Sequence, residues 1–181
     1  MSAECKPVKF WRCLEDLGGL NAVPRGWESR LNGEFETVRG AFLRARPGRP
    51  ARSVPCPECG CSHEAVPHDD GTFVGVCRCD SWDCDDIALT AADLVILELN
   101  WARLGRALAA AFGFDPKEAD FGVPGVMQVG AFGSTGLPVV LSIQHEPAEF
   151  RSALTELAAR LRWCSCTTQR CALPTSPGTC S

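Results

Sequence analysis

The chain reads as an α+β protein: a small cysteine-rich module stands between an N-terminal helical segment and a helix/β-hairpin/helix domain. Three observations predict this. Apolar residues recur at helical spacing before residue 46 and again after residue 90. Two Val-rich runs around 126–133 and 138–144 are joined by Gly133-Ser-Thr-Gly136, which is turn chemistry. Six of the twelve cysteines fall within the 29 residues from Cys56 to Cys84.

The N-terminal segment, 1–53, opens with an amphipathic piece over 7–18, in which Val8, Trp11 and Leu14 share a face and Gly18-Gly19 stops the run. Leu31, Phe35, Val38 and Phe42 predict one helix over 27–45, weakened at Gly33 and Gly40 by about 1 kcal/mol each relative to Ala. Pro47, Pro50 and Pro55 end it in a stiff, Arg-rich linker. The cysteine module takes 54–88, with Gly71–Cys77 strand-like between two cysteine turns. The α/β domain takes 89–162. Thr90 and Asp93 have capping-box spacing, and Leu94, Leu97, Trp101, Leu104, Leu108 and Phe112 hold one face for about five turns. Gly113 and Pro116 close that helix, the hairpin follows, and a last helix over 147–162 turns Phe150, Leu154, Leu157 and Leu161 inward.

Composition limits the function classes. Apolar content of 45% in 181 residues supports a real core, and no apolar run nears the ~20 residues of a membrane helix. The first residues carry no apolar signal region, so the expected setting is cytoplasmic, where clustered cysteines are metal ligands more often than disulfides. A net charge of −4 argues against broad attraction to nucleic acid or anionic membranes. Abundant Ala, Gly, Pro and Arg with no Tyr is the bias of a GC-rich bacterial genome.

Cys56-Pro-Glu-Cys59-Gly-Cys61 and Cys77-Arg-Cys79-Asp-Ser-Trp-Asp-Cys84 carry the chemistry. Two cysteines two residues apart in a Pro/Gly turn aim two thiolates at one tetrahedral ion, and a second turn supplies the other two. Cys56 and Cys59 are the firmest pair. Cys79 and Cys84 have near-knuckle spacing, with Cys77 as the alternate; Cys61 and His63 are substitutes on the first side. One Zn²⁺ per chain is the expectation.

The Cys-Pro-Glu-Cys-Gly turn resembles the knuckle of zinc ribbons, over about residues 54–88. The spacing differs from that of the fungal module holding two zinc ions on six cysteines. The resemblance implies a small β-module and a structural Zn²⁺, because four filled positions leave none for a reacting water. The expected function is therefore a zinc-binding interaction or regulatory module, with a protein or nucleic-acid partner and no catalytic residue. The competing reading is a nuclease-like enzyme of nucleic-acid metabolism that grips its substrate with the ribbon.

Arg44, Arg46, Arg49 and Arg52 are the candidate nucleic-acid contacts. Gly48-Arg49-Pro50 matches part of the minor-groove AT-hook core, with Pro47 where that motif has Arg. Asp80, Asp83, Asp85 and Asp86 read as turn caps and loop solvation before they read as a carboxylate set. His68-Asp-Asp-Gly71 reads as an exposed turn and His145 as a strand-end residue; Cys5 and Cys13 read as small hydrophobes. Gly130, Gly133 and Gly136 lie between two strands and lack the Lys of a phosphate loop.

Residues 163–181 are polar and Cys-rich, where a closing strand would complete the α/β domain. Shifting the reading frame of Trp163-Cys-Ser-Cys166 turns it into an apolar, strand-like run, given a TCN codon for Ser165. The tail then reads as out of frame, and the chain as a damaged gene's fragment without autonomous function. If the tail is genuine, Cys164-x-Cys166-x4-Cys171 repeats the spacing of Cys77, Cys79 and Cys84.

Overall fold

Val8–Asp16 forms α1, which buries Phe10, Cys13 and Leu14. The structure, a computed structural model, describes residues 8–56, 58, 60–79, 84–133 and 136–165, with backbone alone for residue 8 and residues 161–165. Helix α2 (Pro24–Leu31) begins on Pro24, where the missing amide costs nothing. It buries Trp27 completely, and the indole Nε1–H donates to the Leu97 carbonyl at 3.1 Å.

The single helix expected over 27–45 is broken. A 3-10 turn at Asn32–Glu34 separates α2 from α3 (Phe35–Phe42), and Asn32 takes φ 51°, a left-handed conformation that Asn tolerates better than most residues. The break preserves the phase of the apolar stripe: Leu31, Phe35 and Val38 are all buried. Leu43–Ala45 then leaves as a strand, β2, placing Arg44 in a sheet and not in a linker.

The five-turn helix expected after residue 90 is also divided. The Thr90–Asp93 capping box forms, with the Asp93 carboxylate accepting the Thr90 amide at 2.7 Å and the Thr90 hydroxyl at 2.6 Å. The turn it starts is a 3-10 turn, Ala91–Leu94. Leu97–Leu99 is a strand, β7, at the centre of a three-stranded antiparallel sheet between β1 (Asn21–Ala22) and β2. Asn21 faces Glu98, and Leu43 faces Leu99. Helix α4 (Trp101–Phe112) starts afresh at Asn100, whose Oδ1 accepts the Arg103 amide, and ends on Gly113 at φ 72°. Leu104 and Ala109 are buried, while Phe112, expected inward, is 69% exposed.

The expected hairpin is present as β9 (Val126–Phe132) and β10 (Leu137–Ser142), and Gly133 and Gly136 close its turn. A third strand, β8 (Asp115–Asp120), pairs with the other side of β9 and was not expected. Pro116 is tolerated there because β8 is an edge strand. Helix α4 lies against this sheet through Gly105 and Ala109, beside Val129. Helix α5 (Pro147–Ser165) covers the sheet through Ala153 and Leu157, whereas Phe150 and Leu154 are half exposed. It runs three residues beyond its expected end. Residues 166–181, and with them most of the tail and its frame reading, lie outside the described residues.

Helices and antiparallel sheets together make the α+β class that the sequence predicts. Among the described residues, no helix is long and apolar enough to cross a membrane.

Candidate metal centre

The cysteine module is a four-stranded antiparallel sheet: β3 (Ser53–Pro55), β4 (Ser62–Pro67), β5 (Phe73–Cys77) and β6 (Ile87–Leu89), hydrogen-bonded in that order. Strands β4 and β5 are joined at one end by the turn His68–Thr72. The His68 amide donates to the Thr72 carbonyl, and Asp70 accepts from the Thr72 amide at 2.9 Å and hydroxyl at 2.6 Å. The Thr72 hydroxyl bond, then the amide bond, hold the Asp70 carboxyl below its ordinary range. Gly71 at φ 83° makes the reversal, so this segment is the exposed turn expected of it. Up-and-down connection then places the β3–β4 and β5–β6 junctions together at the opposite end, where Cys56, Cys61, Cys77, Cys79 and Cys84 are among the described residues. Both carry cysteines.

In the first loop the Cys56 amide donates to the Cys61 carbonyl at 2.6 Å, and the Glu58 amide points at Cys56 Sγ from 3.4 Å. Such amide–sulfur contacts orient a ligating sulfur. In the second, Cys77 terminates β5, with its Sγ 3.0 Å from Cys79 Sγ and 3.1 Å from Cys61 Sγ. Cys56 Sγ and Cys84 Sγ are 3.8 Å apart. Two sets of donor atoms gather here, each within 4.8 Å of one another: Cys56, Cys61, His63 and Cys84; and Cys61, Cys77, Cys79 and Cys84.

His63 explains itself only through this cluster. It sits in β4 opposite Val54 on one side and Cys77 on the other. It has no exposed surface, and neither ring nitrogen has a hydrogen-bond partner. A buried polar atom left unsatisfied costs about 1–3 kcal/mol, so a fully buried imidazole with two such atoms needs a ligand. Room for the ring comes from Gly75 on β5, where a Cβ would lie 3.2 Å from the His63 Cβ and 2.7 Å from Ile87 Cγ1. The sheet's inner face, with Val54, Ala65, Phe73 and Leu89, packs over Val23 and Leu94 and keeps water from one side of the site.

The cluster could therefore hold a metal ion. Of the four ligands favoured by spacing, Cys84 stands in both donor sets, Cys56 in the first alone and Cys79 in the second alone, so Cys56 and Cys79 do not share one set; Cys59 lies outside the described residues. Cys61, Cys77 and His63, expected as substitutes, stand in the same cluster. Sequence spacing undervalued His63 because a lone His beside a knuckle carries no pattern. Its position opposite Cys77 is set by strand register.

The other candidates resolve differently. Arg44 is paired with Glu98 at 2.8 Å, and Arg46 approaches the same carboxylate at 4.0 Å. Arg49 and Arg52 are exposed, with no acidic partner among the described residues. Asp85 and Asp86 are exposed, and Asp80 and Asp83 lie outside the described residues. His145 bonds the Glu15 carbonyl through Nδ1, and its amide donates to Glu149, which is structural work. Cys13 is a buried thiol whose pKa burial pushes up.

No family model, curated protein or solved structure matches the chain.

Proposed function

We propose that this is a zinc protein of the cytoplasm whose Cys/His cluster is a structural centre of zinc-ribbon type, serving as an interaction or regulatory module. The observation that carries it is His63, wholly buried and unpartnered at both nitrogens, beside three cysteine sulfurs. Thiolate and imidazole donors in fours suit tetrahedral Zn²⁺ better than the oxygen-seeking Mg²⁺ or Ca²⁺. Two cysteine loops at one end of a small antiparallel sheet is also the arrangement that a ribbon requires. Thiolate ligands need a reducing compartment, which supports a cytoplasmic location. With four protein donors around each ion, no position is left for a reacting water, so the site stabilises and presents its loops and does not catalyse.

Elemental analysis of the full chain, purified without chelator, tests this. Bound zinc is expected. Absence of metal, or iron with a visible charge-transfer band, overturns it.

Nucleic acid is the partner class with a specific observation behind it. Arg49 and Arg52 stand exposed beside the module in an irregular Pro/Gly segment bent at Pro47 and Gly48, from which both guanidinium groups are open to phosphates. Their number limits the contact to weak, salt-sensitive association.

A further inference from the structure

We infer that the cluster takes two metal ions, held in two tetrahedra that share the edge between Cys61 and Cys84. This rests on the metal-binding reading above and goes beyond its single ion. The two donor sets have Cys61 and Cys84 in common, and their union is six side chains: Cys56, Cys61, His63, Cys77, Cys79 and Cys84. Two tetrahedra sharing one edge need six donors, the number that these two sets supply among the described residues.

A single ion fits the site worse in either position. Placed in the first set, it leaves Cys77 and Cys79 unused, although Cys77 is 8% exposed and its sulfur lies 3.1 Å from that of Cys61. Placed in the second set, it leaves His63 with two buried, unsatisfied nitrogens. Only occupation of both sets gives the imidazole a ligand at one nitrogen and also uses all five cysteine sulfurs of the two sets.

The chemistry of the shared positions agrees. A thiolate sulfur has lone pairs enough to bridge two ions at short range, while an imidazole nitrogen has one; both shared donors are cysteines, and the histidine is terminal. A Zn–S bond of about 2.3 Å gives a tetrahedral edge of about 3.8 Å; Cys56 and Cys84 stand at that separation, while Cys77 lies closer to Cys61 and Cys79, at 3.1 and 3.0 Å, and would have to draw apart around the second ion. Charge also favours the pair. Five thiolates and a neutral imidazole bring five negative charges, which two Zn²⁺ reduce to one. One Zn²⁺ would leave three, unless thiols stay protonated.

The test uses the full chain, stripped of metal under reductant and titrated with Zn²⁺ or ¹¹³Cd²⁺. Native mass spectrometry should count two ions per chain. ¹¹³Cd NMR should show two resonances, one shifted by its nitrogen ligand, with coupling between the two cadmium nuclei through the shared sulfurs. Cys79→Ser, which alters the second set alone, should bind one ion and keep the nitrogen-shifted resonance. One ion in the unaltered chain, two resonances without mutual coupling, or two ions retained by Cys79→Ser would each overturn the shared pair while leaving a metal-stabilised module standing. No ion at all would overturn both readings, as would iron with acid-labile sulfide.

Discussion

His63 and Cys77 face each other across the β4–β5 ladder, and both are buried. Antiparallel register brings together a residue near the start of one strand and one at the end of the next, fourteen positions away in sequence. A metal ligated from both connections would therefore clamp strand to strand at the end of the sheet opposite the His68–Thr72 turn.

Removing the metal should unfold that sheet and leave the rest of the protein folded. The module's inner face packs Val54 and Leu89 on Val23 and Leu94 in a small apolar cluster, separate from the cores under α1–α3 and under β8–β10. So small a cluster cannot offset the conformational entropy of four strands, and metal-binding free energy is folding free energy there. Hydrogen exchange after chelation under reductant should show fast exchange at Ala65, Val74 and Val76, with protection kept at Leu104–Ala109 and Val129. Unchanged protection in β4 and β5 would count against a structural metal.

Gly75→Ala should weaken the same module. The added methyl meets Ile87 Cγ1 at 2.7 Å, Leu89 Cδ1 at 3.1 Å and the His63 Cβ at 3.2 Å. Overpacking of this kind costs about 1–3 kcal/mol, and the push on His63 should loosen the metal as well. Metal affinity by competition with a chromogenic chelator should fall, and the module's unfolding midpoint with it. Gly60→Ala is no control, since Gly60 has φ 71°; Gly40, with nothing near its Cβ position, is.

Much of this was legible in the sequence, and the misreadings share one cause. The capping box and the β9–β10 hairpin depend on neighbours within a few residues, and each is where spacing puts it. Leu97 satisfied a helical stripe, yet it is buried with Leu99 on one face of β7, because residues two apart share a face in a strand. Their partners, Asn21–Ala22 and Leu43–Ala45, are more than fifty positions away, beyond any local pattern. The missed break at Asn32-Gly33 was announced by residues that accept left-handed backbone. Pro116 concealed β8, since a proline inside a strand is permitted only at an edge, and edges are set by the sheet.

Stability should depend on pH through Asp93. The Thr90 hydroxyl, then the Thr90 amide, hold its carboxyl below the ordinary value of 3.8. A carboxyl depressed in the folded state contributes stability above its unfolded pKa and loses it as pH falls through the folded one. Asp93→Asn should therefore cost about 1 kcal/mol at pH 7, the scale of a lost cap. That lowers the melting temperature by about 2–4 °C in a chain of this size. The gap between variant and parent should narrow below pH 4 and close with further acid. A pH-independent gap would mean that Asn's packing, and not the lost charge, sets the difference.

Among the basic residues of the linker, the two pairs should behave differently. Arg44 lies in β2 with its guanidinium on Glu98, and Arg46 reaches the same carboxylate. Turning either toward a phosphate would cost its bond to Glu98. Arg49 and Arg52 carry no such commitment and are exposed. If the protein contacts nucleic acid, Arg49→Ala with Arg52→Ala should remove most of the binding and lower the slope of log affinity against log salt by about 2 for duplex DNA. Arg44→Ala with Arg46→Ala should change binding less and instead lower thermal stability slightly, by up to about 1 kcal/mol for exposed pairs of this kind. Parent binding should be weak, above about 1 μM at physiological salt, as for non-specific association. Fluorescence anisotropy at two salt concentrations, on chains whose metal content is checked to be equal, measures all of this. Tight, salt-insensitive binding that survives loss of Arg49 and Arg52 would move the contact to the cysteine loops. No binding by the parent at low salt would leave a protein as the module's partner.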